Sequence, residues 1–162
     1  MIAMKLKFLF SICTALMLIV LCSFSTSKTS YQTECVSLDI DGYFTIKIWD
    51  TKKGNKYRLE DARKDAIHAI LYSGIAGTNG CSTQQPILNK KEDHDNFNTI
   101  KRSFFAKKGK WSAFTRSAST ETTIPLSLGI KEWKVYQVSI SKASLRQYLE
   151  ELKIIKSLNN QF

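Results

Sequence analysis

The stretch YFTIKIWDTKKGNKYRLEDARKDAIHAILYSG, residues 43–74, decides the fold because a strand pattern in it leads directly into a helix pattern. At its start, Phe44, Ile46 and Ile48 alternate with a tyrosine, a threonine and a lysine. This period of two, in β-branched and aromatic residues, predicts a strand with one buried face. The run DTKKGN at residues 50–55 predicts the turn that ends it.

The second half of this stretch, residues 58–73, changes to an apolar period of three and four residues, which predicts a helix. The stripe consists of Leu59, Ala62, Ala66, Ile70 and Ser73. Glu60 and Asp61 lie near the helix start, where the helix dipole favours negative charge. Gly74, just past the last turn, predicts a left-handed C-terminal cap.

The other elements have weaker patterns. They are a helix at residues 93–106, strands at residues 111–117 and 131–140, and a closing helix at residues 142–157. The strand at 131–140 has apolar residues on both sides, which indicates a central strand covered on both faces, or a bulge. Residues 117–123, rich in Ser and Thr, predict a loop or hairpin end, and residues 28–34 predict a loose lead-in.

The predicted order is therefore β-α-α-β-β-α. It indicates an α+β fold in which helices pack on one face of a mostly antiparallel sheet. About 135 residues after the amino-terminal segment suit one domain, and no linker divides them. We expect a single α+β domain at residues 28–162.

Residues 1–27 have the order of a secretory signal peptide: two lysines, an apolar run that reaches Cys22, and then a stretch rich in Ser and Thr. Cleavage is expected after Ser25 or Ser27, which makes the protein periplasmic or secreted. One alternative is an uncleaved membrane anchor, although the run is short for a membrane-spanning helix. The other is a lipoprotein modified at Cys22, which the bulky Leu21 disfavours.

Two of the four cysteines, Cys13 and Cys22, leave with the signal segment. Cys35 and Cys81 remain, and an even pair in an oxidising compartment favours a disulfide. In the chain-entropy model such a bond contributes about 4 kcal/mol. The alternative is a pair of free thiols.

The chain has a net charge of +10, and loss of residues 1–27 removes Lys5 and Lys7 and no acid, which leaves +8. The cations form two groups. The first is Lys52, Lys53, Lys56, Arg58, Arg63 and Lys64, and the second is Lys101, Arg102, Lys107, Lys108 and Lys110, followed by Trp111. Because the protein is expected outside the cytoplasm, we expect anionic glycans, lipid headgroups or an acidic protein surface as partners, and no nucleic acid. A basic surface that only keeps the protein in solution is the alternative.

No catalytic group, metal site or cofactor can be nominated from the sequence. The two histidines are His68, placed on the solvent side of the long helix, and His94, within the run EDHD at residues 92–95. Adjacent residues at a helix start point in different directions and cannot all reach one ion. Nucleophilic catalysis needs a Ser or Cys, a base and a group that orients the base, and no such set is visible.

The glycine-rich segment after the long helix is the candidate binding loop, because loops held by a rigid scaffold often carry function. Its candidate residues are Gly74, Gly77, Gly80 and Cys81. The alternative is that these glycines only cap the helix and turn the chain.

Several motifs resemble a group of small exported proteins of Gram-negative bacteria that have no assigned function. They are RLEDARKDAIHAILYSGIAG at residues 58–77, CSTQQPIL at 81–88, Phe104-Phe105, and LRQYLE at 145–150. The resemblance covers about residues 35–156. More distantly, the strand-helix start and end are similar to LPP20-like envelope domains. The resemblance implies export and a compact α+β domain, and transfers no catalytic residue.

These observations favour an exported, non-enzymatic domain of the envelope or the medium that binds a protein or an anionic surface component. The alternative is a hydrolase-type enzyme with an unrecognised site. A concave pocket that brings a histidine or carboxylates together with a hydroxyl or thiol would favour the enzyme.

Overall fold

The computed structural model describes residues 29–38, 42–77, 81–124 and 133–157, and for 118–124 only the backbone. The expected signal segment, residues 1–27, and Gly80 of the candidate loop lie outside these ranges. The strands are β1 Tyr31–Leu38, β2 Phe44–Asp50, β3 Thr115–Ile124 and β4 Trp133–Ile140. The helices are α1 Leu59–His68, α2 Lys91–Asn98, α3 Lys101–Phe104 and α4 Lys142–Glu151. A π-helical turn, Ala69–Ser73, continues α1, and 3-10 turns occupy Gly54–Lys56 and Lys110–Phe114.

The four strands form one antiparallel sheet in the order β1-β2-β4-β3, and the predicted α+β class is confirmed. Strand β4 lies between β2 and β3, as its apolar residues on both sides predicted. Along β2 and β4 the register pairs Phe44 with Ile140 and Ile46 with Val138. Because paired residues share a face, these side chains form one apolar surface.

The core lies between this apolar surface and the helices. Ile46, Val138 and Ile140 are fully buried, as are Ala62 and Leu149 from α1 and α4. The alanines on the α1 stripe allow the helix to approach the sheet closely. The alternation in residues 43–49 and the stripe of the long helix thus predicted the core-facing residues.

The structure corrects the expectation for residues 28–34, which were predicted to be a loose lead-in. Strand β1 begins at Tyr31 and pairs with β2 along its whole length, with an irregularity between Cys35 and Ser37. Its sequence is polar because it is an edge strand whose outer face is open. Backbone pairing with β2 supplies the order that its side chains do not indicate.

The predictions for the middle of the chain also need correction. Trp111 lies in the 3-10 turn rather than in a strand, and the Ser/Thr-rich segment expected to be a loop is most of β3. Strand β3 is the other edge of the sheet, and its pairing with β4 shifts register twice. An edge strand with bulges has no regular alternation, so its sequence does not show the period of two.

The helix expected at residues 93–106 is two helices, α2 and α3, separated by a turn at Thr99 and Ile100. Asp93 caps α2, since its carboxylate accepts a hydrogen bond from the Lys90 amide at 3.2 Å. The closing helix ends at Glu151, six residues before its predicted end at Ser157. Within the ranges that the structure describes, no helix is long and apolar enough to cross a membrane.

Candidate functional site

The candidate loop begins at Gly74, whose backbone adopts φ 70° and ψ −178°. The Gly74 amide bonds to the carbonyl of Ala69 at 2.8 Å, which ends the π-helical turn. A Cβ at this position would lie 2.4 Å from the carbonyl oxygen of Gln84, because Ile75 and Gln84 pair there as an isolated antiparallel bridge. Only glycine fits both the dihedral angles and the close approach.

The rest of the loop is held from two sides. The Gly77 amide bonds to Thr83 Oγ1 at 3.2 Å, and a Cβ on Gly77 would lie 2.7 Å from the Thr83 amide nitrogen. From α4, the Lys142 ammonium donates to Gln84 Oε1 at 3.2 Å and to the Gln85 carbonyl at 2.9 Å. Gly74 and Gly77 are therefore explained by backbone approach, and a binding role for this loop stays a prediction.

A disulfide joins Cys35 in β1 to Cys81 at the end of the loop, with 6.2 Å between their Cα atoms. The predicted pairing is confirmed. Cys35 is 1% exposed, so its side of the bond faces the core. A disulfide is compatible with export, since such bonds persist in oxidising compartments.

Both histidines lie next to the ring of Tyr72, an arrangement that the sequence did not predict. The ring centroid of Tyr72 is 4.5 Å from that of His68 and 5.3 Å from that of His94. The Lys101 ammonium lies 5.0 Å from the Tyr72 ring centroid. The spacing of His68 and Tyr72, four residues apart on one helix, was the available signal, but His94 comes from a different helix.

His68 is half-buried, so its predicted position on the solvent side of the helix is wrong. The Tyr31 hydroxyl, from β1, lies 2.7 Å from His68 Nδ1. Burial lowers the pKa of His68, with a smaller contribution from Lys101, and burial raises the pKa of Tyr31 to about 12. The unprotonated Nδ1 of a neutral imidazole can accept a hydrogen bond from the Tyr31 hydroxyl. Because its raised pKa keeps this hydroxyl protonated, it is a weak nucleophile.

No metal centre forms in the part of the chain that the structure describes, where no three His, Cys, Asp or Glu side chains lie close enough to hold an ion. In the run at residues 92–95, Asp93 is the α2 cap and Asp95 pairs with Lys91 at 2.6 Å. Their neighbour His94 turns instead to the Tyr72 ring. Asp93 and Asp95 therefore have structural partners.

The second group of cations lies on α3 and the connection that follows it, and we call residues 101–110 the basic segment. Its cations are Lys101, Arg102, Lys107, Lys108 and Lys110, and all five residues are exposed. Lys101 and Lys110 lie over the rings of Tyr72 and Tyr148. Among the residues with described side chains, none of the five forms an ion pair with an acid.

Trp111, which follows the basic segment, is 3% exposed and cannot stack on a ligand. Arg63 and Lys64 of α1 lie over its ring, at 5.4 Å and 5.2 Å from the centroid. The Trp111 indole nitrogen donates to the carbonyl of Ala106 at 3.0 Å. This tryptophan therefore joins α1 to the basic segment.

Three of the six cations of the first group, Lys53, Arg63 and Lys64, are engaged within the protein. The Arg63 guanidinium donates to Thr115 Oγ1 and to the carbonyls of Ser112 and Thr115, at 2.9, 3.0 and 2.6 Å. Lys64 pairs with Glu60 at 3.0 Å, and Lys53 lies 3.6 Å from Asp61. The two basic groups thus differ, because only the first is interspersed with acids.

Two lysines adopt a backbone conformation that favours glycine. Lys108 has φ 65° and Lys153 has φ 56°, and no other non-glycine residue in the described ranges has a positive φ. Lys153 ends α4, where its amide bonds to the Glu150 carbonyl and the next amide bonds to the Leu149 carbonyl, both at 2.9 Å. This is a Schellman cap, in which glycine is the usual residue. A lysine in this conformation costs about 1 kcal/mol.

Comparisons of this chain with protein-family models, with curated proteins and with solved structures find no match. The likeness to small exported proteins therefore stays a prediction. The function has to be argued from the geometry of the chain itself.

Proposed function

We propose that this chain is an exported, non-enzymatic domain that binds an anionic component of the cell surface through the basic segment. The observation that carries the proposal is that the five cations of residues 101–110 are exposed without an acidic ion-pair partner among the described side chains. The disulfide between Cys35 and Cys81 supports an oxidising location for the domain.

Acids distinguish the first basic group from this segment, since Glu60 and Asp61 lie among its cations and pair with Lys64 and Lys53, whereas residues 101–110 contain no acid. Cations that already pair with acids lose those contacts when they bind an anion, so their net gain is small. Among the described side chains Lys108 has no such contact to lose, and the field of the remaining positive charge adds to its interaction with an anion. Lys107 lies near Glu60, since it lowers the pKa of that carboxyl after the larger effect of Lys64.

The backbone at Lys108 supplies a second argument. A strained conformation persists where the surrounding structure requires it, and such residues concentrate at functional sites. The next residue, Gly109, is fixed by its neighbours, because a Cβ there would lie 2.2 Å from the carbonyl oxygen of Phe104. The turn therefore constrains the backbone at Lys108.

The proposal is tested by retention of the exported, purified protein on immobilised heparin at increasing salt. We expect retention at low salt and release as the salt screens the charges, because ion release dominates such binding. The triple variant Lys107→Gln, Lys108→Gln, Lys110→Gln should elute at much lower salt. The slope of log affinity against log salt should fall by about two.

The matched control is Lys52→Gln, Lys56→Gln, Arg58→Gln, which removes the same charge from exposed positions of the first group. We expect it to elute close to the unaltered protein. Equal losses of heparin retention in both triple variants would show that net charge alone, and not the basic segment, determines binding. Absence of retention at low salt would refute the proposal outright.

A further inference from the structure

Leu152 is an exposed apolar residue at the end of α4, with 45% of its surface accessible. It follows Tyr148 by four residues, and its amide bonds to the Tyr148 carbonyl at 3.2 Å. Residues four apart lie on the same side of a helix, so Leu152 extends the side of α4 that Tyr148 occupies.

That side of α4 packs on the basic segment. The Tyr148 ring lies 6.2 Å from the ring of Phe104 and 5.4 Å from that of Phe114, and the Lys110 ammonium lies 5.7 Å from its centroid. Beyond the turn that follows α4 at Leu152 and Lys153, Asn96 of α2 donates to the Ile154 carbonyl at 3.3 Å. The end of α4 that carries Leu152 therefore lies beside α2 and the basic segment.

Two lysines follow this leucine along the chain, and the two acids that precede it have partners on α4: Glu150 pairs with Arg146 at 2.9 Å, and Glu151 accepts a hydrogen bond from the Gln147 side-chain amide at 3.0 Å. Lys153 follows Leu152 directly in the left-handed cap, and Lys156 lies four residues on. Both are exposed. The two lysines with a positive φ, Lys108 and Lys153, thus belong to the basic segment and to the turn that packs beside it.

We propose that the basic segment and the Leu152–Lys153 turn form one face that lies on an anionic lipid bilayer. The inference rests on the proposed function and names its ligand. An apolar side chain beside a cluster of exposed lysines is the pattern of interfacial binding: the cations approach the lipid phosphates, and the leucine enters the boundary with the acyl chains. A soluble anionic glycan offers nothing apolar to Leu152, which is why the lipid surface is the better fit.

The test is co-sedimentation of the exported, purified protein with vesicles of phosphatidylcholine, with and without roughly one quarter of phosphatidylglycerol. We expect binding only to the anionic vesicles. Neutralising Lys107, Lys108 and Lys110 should lower the partition coefficient about 100-fold. Leu152→Ser should lower the partition coefficient roughly tenfold, because less apolar area then leaves water on binding.

Leu59→Ser is the matched control, because Leu59 is 37% exposed and follows Arg58 of the first basic group. It should bind anionic vesicles as the unaltered protein does. A gain-of-binding variant, Leu152→Trp, guards against loss of folding: it should bind more tightly, and lipids brominated in the acyl chains should quench its added fluorescence. Leu59→Trp should show neither effect.

The outcomes separate this inference from the proposed function. Retention on heparin together with no binding to anionic vesicles overturns the lipid face and leaves the anionic-ligand proposal standing. Equal vesicle binding by Leu152→Ser and the unaltered protein also overturns it. If neither heparin nor vesicles bind the protein, both proposals fail.

Discussion

His68 illustrates at the scale of one residue how burial decides the properties of a side chain. The rings of Tyr31 and Tyr72 pack on the imidazole, at 5.8 Å and 4.5 Å between centroids. Burial and the nearby Lys101 ammonium both disfavour the imidazolium, and the Tyr31 hydroxyl can donate to Nδ1 only while that nitrogen is unprotonated. The folded protein therefore prefers neutral His68.

This preference predicts a loss of stability in mild acid. Since the pKa of His68 is lower in the folded state than in the unfolded chain, its contribution is complete above the unfolded value near 6.5. It is lost as the pH falls from there through the folded pKa, because the unfolded chain binds the proton first. Thermal unfolding at pH 7.5 and pH 5.0 should show a larger drop in melting temperature for the unaltered protein than for His68→Gln. Equal drops would contradict the prediction.

The loop between the π-helical turn and α2 shows at the scale of an element how one backbone conformation fixes a connection. Gly74 reverses the chain so that Ile75 pairs with Gln84, and the amides of Ile87 and Leu88 then bond to the carbonyls of Ile70 and Leu71 at 3.0 Å. The whole connection thus runs back along the helix end. Its stability depends on the absence of a side chain at Gly74.

Gly74→Ala should lower the free energy of unfolding by about 3 kcal/mol or more, measured by chemical denaturation. The alanine would occupy a region of φ and ψ open to glycine alone and would collide with Gln84. Gly42→Ala is the control, because Gly42 also has a positive φ, of 73°, but open space around it. It should cost only about 1 kcal/mol. Similar losses for both would contradict the close approach.

At the scale of the whole molecule, the disulfide joins the edge strand β1 to the loop that follows the long helix. Strand β1 has one neighbouring strand, β2, and its polar outer face adds little burial. The bond spans 46 residues of sequence and holds β1, α1 and the loop as one unit. The bond therefore helps to hold in place β1, the strand from which Tyr31 contacts His68.

Cys35→Ala, Cys81→Ala should lower the free energy of unfolding by about 4 kcal/mol, because the unfolded chain regains the freedom of the closed loop. Reduction of the unaltered protein should give a similar loss while keeping both side chains. An excess loss in the double variant measures the packing of Cys35 in the core. Unchanged unfolding after reduction would refute a stabilising role.

Periodicity in the sequence determined the elements that bury one face. The alternation in residues 43–49 and the stripe beginning at Leu59 predicted β2 and α1, because each pattern matches the geometry of its own element. The cysteine pair was likewise predicted once the signal segment was set apart. Charge counts located the basic segment, since exposed lysines need no tertiary partner to be recognised.

Tertiary contacts decided what local pattern could not. Strands β1 and β3 are held in the sheet by backbone pairing with a neighbouring strand. Their polar side chains therefore need not alternate with a period of two. His94 joins His68 at Tyr72 because α2 packs beside the end of α1, at a sequence distance that no local rule spans. The difference between the two basic groups also came from the fold, since only packing shows which cations already have partners. Sequence determined what β2 and α1 bury, and tertiary structure decided which side chains meet.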